Sequence, residues 1–231
     1  MAESLLLYYI TDRTAFLGDE AMRRHRLLEK IAEAARHGVD YIQLREKDLS
    51  TGELESLARE AIRIIGQAGK LATSHRPLTT ALLINSRTDV ALATAAAGVH
   101  LPANDVSPAE VRAAWQGRSG ARAITHEISP QTPLVAVSCH SPEEVTQAAS
   151  NSATFAVFAP VFEKKDTPAA HPTGLDALHQ ACRAKIPVLA LGGVTLQNAE
   201  SCLQAGAAGI AAIRLFQEND IATVIHQLRG H

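Results

Sequence analysis

The sequence predicts a (β/α)8 barrel, an α/β fold also called a TIM barrel, and three observations lead to it. Eight short apolar segments alternate with eight longer segments whose apolar residues recur at helical spacing. The short segments are continuously apolar, as expected of parallel strands covered by helices. Polar residues follow nearly all of them. An open doubly wound sheet is the alternative, but no glycine-rich fingerprint follows the first strand.

Each predicted strand is a run of aliphatic or aromatic residues that ends at a polar or turn-forming residue. The strands are predicted at residues 5–11, 41–45, 81–85, 98–101, 134–138, 155–162, 187–191 and 209–215. Because no linker interrupts the alternation, residues 1–231 are predicted to form one domain.

A helix is predicted after each strand. The helices are expected at residues 22–37, from 50 to 66 or 69, 87–97, from 107, from 141, 174–183, 195–205 and 221–228. Ser107 and Ser141 are each followed by proline and, three positions on, by glutamate, which is typical of a capped helix start. Residues 117–133 contain glycines and prolines and predict a surface excursion, with room for one short strand.

Composition excludes several classes of function. The net charge is −2, so no basic excess supports binding of nucleic acid or polybasic attachment to a membrane. No apolar run approaches the ~20 residues of a membrane span, and the first residues do not resemble a signal peptide. The three cysteines lack the spacing of a disulfide framework or a zinc site, which indicates a reducing compartment. We therefore expect a cytoplasmic protein.

Gln43, Arg45 and Lys47 take alternate positions at the end of the second predicted strand and are expected to face one side. Two cations and an amide on one face suit an anion, above all a phosphate. Together with Asn85 and with Lys164 or Lys165 they predict a cluster suited to a diphosphate. For the two later lysines, a solvated charged loop is an equal alternative.

Other strand ends carry further candidates. Gly192 and Gly193 precede a predicted helix start at Thr195, so their backbone N–H groups suit a phosphate where TIM barrels commonly bind one. His140 is a candidate general acid or base, although a lone histidine is more often structural. The remaining polar residues at or just beyond strand ends are Thr11, Asp12, Arg13, Ser86, Arg87, His100, Asp105, Ser138 and Arg214.

These stretches resemble the thiamin phosphate synthase/TenI family over almost the whole chain. The markers are Tyr9-Ile-Thr-Asp12, Gln43-Leu-Arg-Glu-Lys-Asp48, Leu83-Ile-Asn85, Gly98-Val-His-Leu101, Ser138-Cys-His-Ser-Pro-Glu-Glu144 and Pro187-Val-Leu-Ala-Leu-Gly-Gly193. The resemblance implies a (β/α)8 enzyme of thiamin biosynthesis that acts on thiazole phosphate.

A synthase of this family couples hydroxymethylpyrimidine diphosphate to thiazole phosphate and releases diphosphate. The resemblance implies that the pyrimidine diphosphate is held by Gln43, Arg45, Lys47, Asn85 and Lys164. Arg45 and Lys164 would then stabilise the leaving charge. It also implies Asp105 as a Mg²⁺ ligand, Ser138 near the pyrimidine, and Gly192 and Gly193 on the thiazole phosphate.

Three departures from the synthase pattern favour a TenI-like thiazole tautomerase. Ser86 stands where a second Mg²⁺ carboxylate is usual, the loop after the sixth strand is shortened, and Arg214 replaces a usual serine. A tautomerase moves protons, needs no metal or other cofactor, and would use His140 as its acid and base. Arg214 is a candidate substrate-binding residue that could restore positive charge for coupling.

Two further options stay open. One is the Mg²⁺-dependent synthase itself, and the other is a non-catalytic sensor of thiamin intermediates. In each case the expected partner is a small-molecule phosphate. Family members are often dimers, so a homodimer is one option for the assembly.

Overall fold

A computed structural model describes residues 5–71, 79–119, 132–163 and 171–230, and these residues form a closed barrel of parallel strands. The strands follow one another around the barrel in chain order. They are β1 (Leu6–Ile10), β2 (Tyr41–Leu44), β3 (Ala81–Asn85), β4 (Gly98–Leu101), β5 (Leu134–Cys139), β6 (Phe155–Phe158), β7 (Val188–Ala190) and β8 (Gly209–Ala212). The (β/α)8 fold class is therefore confirmed.

The helices lie between the strands and cover the outside of the barrel. They are α1 (Glu20–His37), α2 (Thr51–Leu71), α3 (Thr88–Thr94), α4 (Pro108–Ser119), α5 (Pro142–Ser150), α6 (Gly174–Ala181), α7 (Ala199–Gln204), α8 (Arg214–Gln217) and α9 (Ile221–Arg229). A short 3-10 helix, Arg13–Ala15, follows β1. Within the described ranges, every helix is too short or too polar to cross a membrane.

Side-chain oxygens begin several of these helices, as the sequence predicts for α5. Ser141 accepts a hydrogen bond from the Glu144 N–H at 3.3 Å, and Pro142 occupies the first helical position. The Asp19 carboxylate does the same for α1 through the Met22 N–H at 2.9 Å. These caps satisfy N–H groups that a helix start leaves without partners.

Strand register divides the apolar residues into two layers. One cluster packs between the sheet and the helices, and the other fills the barrel interior. The interior cluster contains Tyr8, Ile10, Leu83, Ala136, Phe155, Val157, Leu189 and Ala211. Rings meet across the barrel: Tyr41 stacks on Phe155 with centroids 4.8 Å apart, and Tyr8 meets Phe155 edge-on at 5.5 Å.

Barrel closure joins elements that are distant in the chain. β1 pairs with β8 in the register that sets Leu6 beside Gly209. Outside this seam, the Arg229 guanidinium donates to the carbonyl oxygens of Gly38 and Leu5 and to the Asp40 carboxylate, at 2.7 to 3.1 Å. One side chain from α9 therefore ties together the N-terminal ends of β1 and β2.

Four predicted boundaries near the site are wrong. β2 ends at Leu44, so Arg45 and Lys47 lie in the turn after the strand. β6 ends at Phe158, because the chain then bends and the Val161 N–H bonds the Leu191 oxygen at 2.9 Å. β8 ends at Ala212, and α7 begins at Ala199 rather than at Thr195. Of the irregular segment at 117–133, residues 120–131 lie outside the described residues.

Candidate functional site

Four polar side chains face into the barrel near the C-terminal ends of β2 to β5. Register sets Gln43 beside Ile10, His100 beside Ala136 and Ser138 beside Val157, and these three neighbours belong to the interior cluster. Asn85 pairs with His100. We call Gln43, Asn85, His100 and Ser138 the polar half of the interior. The C-terminal end of such a barrel is where active sites form.

Gln43 and Asn85 are joined by a side-chain hydrogen bond. Gln43 Nε2 donates to Asn85 Oδ1 at 2.7 Å, and Asn85 Nδ2 donates to Ser86 Oγ at 3.1 Å. The opposite side of the Gln43 amide is different: Oε1 is buried and has no hydrogen-bond partner among the described residues. Burying an amide oxygen without a donor costs free energy, so this atom could accept a hydrogen bond from a ligand.

His100 lies between two hydroxyl groups. Its Nδ1 is 3.1 Å from the Tyr8 hydroxyl across the barrel, and its Nε2 is 2.7 Å from Ser138 Oγ on the next strand. Burial, with a smaller contribution from the charge of Arg45, lowers the pKa of His100 to about 3. Burial also raises the pKa of Tyr8 well above its usual value. Both rings are therefore neutral at physiological pH.

Arg45 and Lys47 present the positive charge of the site. Arg45 is half-buried and its backbone N–H donates to Thr11 Oγ1 at 3.0 Å, whereas Lys47 is exposed. Neither forms an ion pair with a carboxylate in the described part of the chain. Two cations that lack acidic partners are available to an anionic ligand.

The acids in the same turn are held away from these cations by Arg13. The Arg13 guanidinium donates to Glu46 Oε2 at 3.2 Å and makes a two-pronged contact with Asp48 at 2.7 and 2.8 Å. Glu46 also accepts from the Thr11 hydroxyl and the Arg13 N–H. Burial raises the pKa of Glu46 despite these donors, while Arg13 lowers the pKa of the exposed Asp48.

Gly192 and Gly193 form the turn after β7, and both have positive φ angles of 96° and 66°. A Cβ on Gly192 would lie 2.7 Å from Pro160 Cα, and one on Gly193 would lie 2.6 Å from the Glu163 oxygen. Asn198 fastens the turn by donating to the Gly193 oxygen at 3.0 Å. Close packing against the loop after β6 therefore requires both glycines. Their contact with a phosphate stays a prediction. The helix start predicted at Thr195 cannot contribute to it, because α7 begins at Ala199.

His140 follows β5 and is exposed. Its Nδ1 lies 2.6 Å from the Ala159 carbonyl oxygen, which can only accept, so Nδ1 carries a proton. Its backbone N–H donates to Glu144 Oε2 at 2.6 Å. In the neutral ring Nε2 is thus the basic nitrogen, as proton transfer requires.

Ser86 and Asp105 are the residues expected near Mg²⁺. Ser86 has φ 59° and follows β3, whereas Asp105 is exposed beyond β4 and accepts from the Val106 N–H at 2.8 Å. Among the described residues, no three acidic, histidine or cysteine side chains surround a metal position. Mg²⁺ commonly binds one or two carboxylates together with substrate phosphates and water. A single carboxylate is compatible with a Mg²⁺ ion that is coordinated mainly by the diphosphate. It is not compatible with an ion coordinated by protein side chains alone.

Arg214 and Lys164 are the remaining predicted site residues. Arg214 does not lie on β8 but begins α8, because the chain turns into a helical conformation at Ile213. This helical turn buries the next three residues, Leu215, Phe216 and Gln217. It remains exposed at the C-terminal end of the barrel. Lys164, together with Lys165, lies outside the described residues.

Sequence reasoning missed Tyr8 and the carboxylate of Glu46. The polar residues after β1 and the histidine on β4 were visible as strand ends, but their partners lie on another strand or in the turn after one. A buried tyrosine inside an apolar run carries no local signal of a polar role.

Comparison with known proteins gives consistent results. A sequence profile described as thiamine monophosphate synthase matches residues 7–216. The Aquifex aeolicus protein named "Putative thiamine-phosphate synthase 2" is 35% identical over 213 residues, or 92% of this chain and 97% of that protein. The thiamine-phosphate synthase of Methanoculleus marisnigri is 33% identical over 226 residues, or 96% and 93% of the two chains.

A solved structure agrees with these relatives. The thiamine phosphate pyrophosphorylase from Pyrococcus furiosus superimposes with a TM-score of 0.74 and 26% identity, covering 99% of this chain and 95% of that chain. Similarity therefore extends over the whole barrel and is not confined to one motif.

Proposed function

We propose that this chain, which belongs to the thiamine monophosphate synthase family, couples hydroxymethylpyrimidine diphosphate to thiazole phosphate. Its relatives carry synthase names, so the comparisons support this alternative better than the tautomerase that the departures favour. In the reaction the bond between the pyrimidine methylene and the diphosphate oxygen breaks. The thiazole nitrogen bonds to the methylene, and diphosphate leaves.

The observation that carries this proposal is the buried Oε1 of Gln43. It can accept a hydrogen bond, and an aminopyrimidine supplies a donor through its amino group. A carboxythiazole phosphate has no N–H group to offer. The pyrimidine substrate therefore matches this atom and the tautomerase substrate does not.

Arg45 and Lys47 would stabilise the leaving diphosphate, since both are free of acidic partners in the described ranges. Asp105 would hold Mg²⁺ jointly with the diphosphate, and the ion would neutralise part of the leaving charge. Gly192, Gly193 and Arg214 would bind the thiazole phosphate at the ends of β7 and β8. The ends of β2 and β3 thus serve one substrate, and the ends of β7 and β8 serve the other.

The test is an assay of pure protein with both substrates and Mg²⁺, in wild type and in Gln43→Met. We expect diphosphate release by the wild type. In the variant, KM for the pyrimidine diphosphate should rise about tenfold or more, because a site built to bond a polar group loses that bond. KM for thiazole phosphate is the internal control and should stay unchanged. An equal rise in both KM values would contradict the role of Gln43.

A thiazole tautomerase is the second candidate, favoured by the geometry of His140. Its Nδ1 is fixed by the Ala159 carbonyl, which leaves Nε2 for proton transfer. Conversion of the carboxythiazole phosphate tautomer without any pyrimidine substrate, and loss of that activity in His140→Ala, would assign the chain to this reaction. Absence of both reactions would leave only ligand binding.

A further inference from the structure

We infer that Tyr8 holds His100 in the tautomer protonated at Nε2, so that Ser138 donates its hydroxyl proton to an acceptor atom of the substrate. Tyr8 and His100 are then positioning residues that act through Ser138. The identity of the substrate rests on the proposed function. The direction of the hydrogen bonds rests on the three side chains themselves.

The Tyr8 hydroxyl acts as a donor to His100. Tyr8 is fully buried, and within the described residues its hydroxyl has one hydrogen-bond partner, His100 Nδ1. A buried O–H that does not donate forfeits a hydrogen bond, whereas an oxygen that accepts nothing loses less. Tyr8 therefore donates, and Nδ1 of His100 accepts.

The charge of the His100 ring decides which of its nitrogens carries the proton. His100 is buried and neutral, so its ring carries one N–H proton. Since Nδ1 accepts from Tyr8, that proton is on Nε2. At 2.7 Å, Nε2 then donates to Ser138 Oγ.

The Ser138 proton is available to a ligand. With its oxygen already accepting from His100, the hydroxyl is free to donate elsewhere. Ser138 is partly exposed, unlike Tyr8 and His100, so its hydroxyl can reach a ligand at the mouth of the barrel. The opposite tautomer would make Ser138 donate to His100 and leave the Tyr8 proton without an acceptor.

This arrangement defines the chemistry of the ligand at Ser138. The bound atom must be a hydrogen-bond acceptor, either an oxygen of the diphosphate or a ring nitrogen of the pyrimidine. In the same polar half, on β2, Gln43 Oε1 is buried without a hydrogen-bond donor among the described residues. The polar half of the interior thus offers a donor at Ser138 and an acceptor at Gln43.

The decisive measurement is ¹⁵N NMR of histidine-labelled wild-type protein near pH 7. The His100 signals are identified by their absence in His100→Gln. We expect the pattern of a neutral ring protonated at Nε2. In Tyr8→Phe, the ring should populate both tautomers, because the phenyl ring preserves packing but removes the donor to Nδ1. A wild-type ring protonated at Nδ1 would overturn the inference, whether or not the variant folds.

Binding measurements show whether the hydrogen-bond chain from Tyr8 through His100 to Ser138 affects the substrate. Isothermal titration uses two probes, inorganic diphosphate with Mg²⁺ and hydroxymethylpyrimidine. Tyr8→Phe and Ser138→Ala should each weaken the same probe by about three- to tenfold, the size expected for one hydrogen bond. The double variant should bind no more weakly than Ser138→Ala alone. The probe that is affected identifies the acceptor.

Tyr41→Phe is the matched control. Tyr41 also faces the interior, 6.0 Å from Tyr8 between ring centroids, and stacks on the same Phe155. Its hydroxyl has no part in the hydrogen-bond chain from Tyr8 to Ser138, so this variant should bind both probes as the wild type does. Losses that multiply in Tyr8→Phe/Ser138→Ala would overturn the inference. Failure of the wild type to bind either probe would instead overturn the proposed function.

Discussion

The barrel interior has two halves that share a backbone and differ in side-chain chemistry. In the polar half, Gln43, Asn85, His100 and Ser138 end the inward faces of β2 to β5 and bond to one another or to their neighbours. In what we call the apolar half, the corresponding inward residues of β6, β7, β8 and β1 are Val157, Leu189, Ala211 and Ile10. Parallel strands bring both sets to the same mouth.

The difference between the halves separates two tasks. The apolar half is fully packed, so its contribution is to stability. In the polar half the side chains satisfy most of one another's hydrogen bonds and leave particular atoms, such as Gln43 Oε1, for a ligand. Substitutions in the two halves should therefore affect different measurements.

The largest effect should come from the charge network behind the polar half. Arg13→Ala would leave Glu46 buried, with a side chain only 1% exposed, without its cation. We expect the free energy of unfolding to fall by about 3–5 kcal/mol at pH 7, measured by urea denaturation. Arg24→Ala, which breaks the more exposed pair with Glu60, is the control and should cost about 0–1 kcal/mol.

The pH dependence of this loss has a definite sign. Burial raises the folded-state pKa of Glu46 above its unfolded value, and removal of Arg13 should raise it further. At pH values between the unfolded-state and the folded-state pKa of Glu46, the folded protein binds more protons than the unfolded chain. Its stability therefore falls as the pH rises. The loss in free energy of unfolding caused by Arg13→Ala should therefore be smaller near pH 4.5 than at pH 7. A deficit that is independent of pH would contradict this role of Glu46.

Leu189→Ala should separate the two halves most directly. Leu189 is fully buried in the interior cluster, and its truncation is expected to cost about 2–5 kcal/mol of stability in urea denaturation. The Kd for diphosphate with Mg²⁺ should change less than about twofold, since no polar contact is lost. Asn85→Ala should show the reverse, with about tenfold weaker binding and a loss of about 1 kcal/mol in stability. If both variants affected both measurements equally, the division between the halves would be wrong.

Ser86→Asp should affect binding alone and tests the metal. Aspartate tolerates the left-handed conformation that Ser86 adopts. A second carboxylate should tighten diphosphate binding about tenfold with Mg²⁺, and weaken it without the ion because like charges repel. Ser152→Asp is a close control, because Ser152 has a similar φ of 64° but precedes β6 at the opposite end of the barrel. Equal responses of the two variants to Mg²⁺ in titration calorimetry would argue against a metal position beside Ser86.

Local sequence predicts much of the polar half. Gln43, Asn85 and Ser138 follow apolar runs, and parallel strands bring such endings together. The orientation of Arg45 and Lys47 was only partly predictable, because β2 stops at Leu44 once Thr11 and Glu46 engage the following turn. Arg214 was misplaced because an apolar run such as 209–215 fits either a strand or a strand with one helical turn.

The contacts that sequence reasoning missed all join residues on or just beyond different strands of the barrel. Tyr8 meets His100 across 92 positions of sequence, and Arg13 meets Glu46 across 33. No spacing rule connects such pairs, since their distance is set by strand order and tilt. The sequence predicts which strand ends are polar, and the closed barrel decides which of those groups remain available.

The seam between β1 and β8 has a consequence for the growing chain on the ribosome. The strand of Leu6 has both its neighbours only after Gly209, about 200 residues later, has been synthesised. The contacts of Arg229 with Leu5 and Asp40 form later still. Strands β2 to β5 emerge first and can pair among themselves. Until β8 is synthesised, however, β1 lacks one of its two neighbours, so we expect the interior around Tyr8 and His100 to close only near the end of translation.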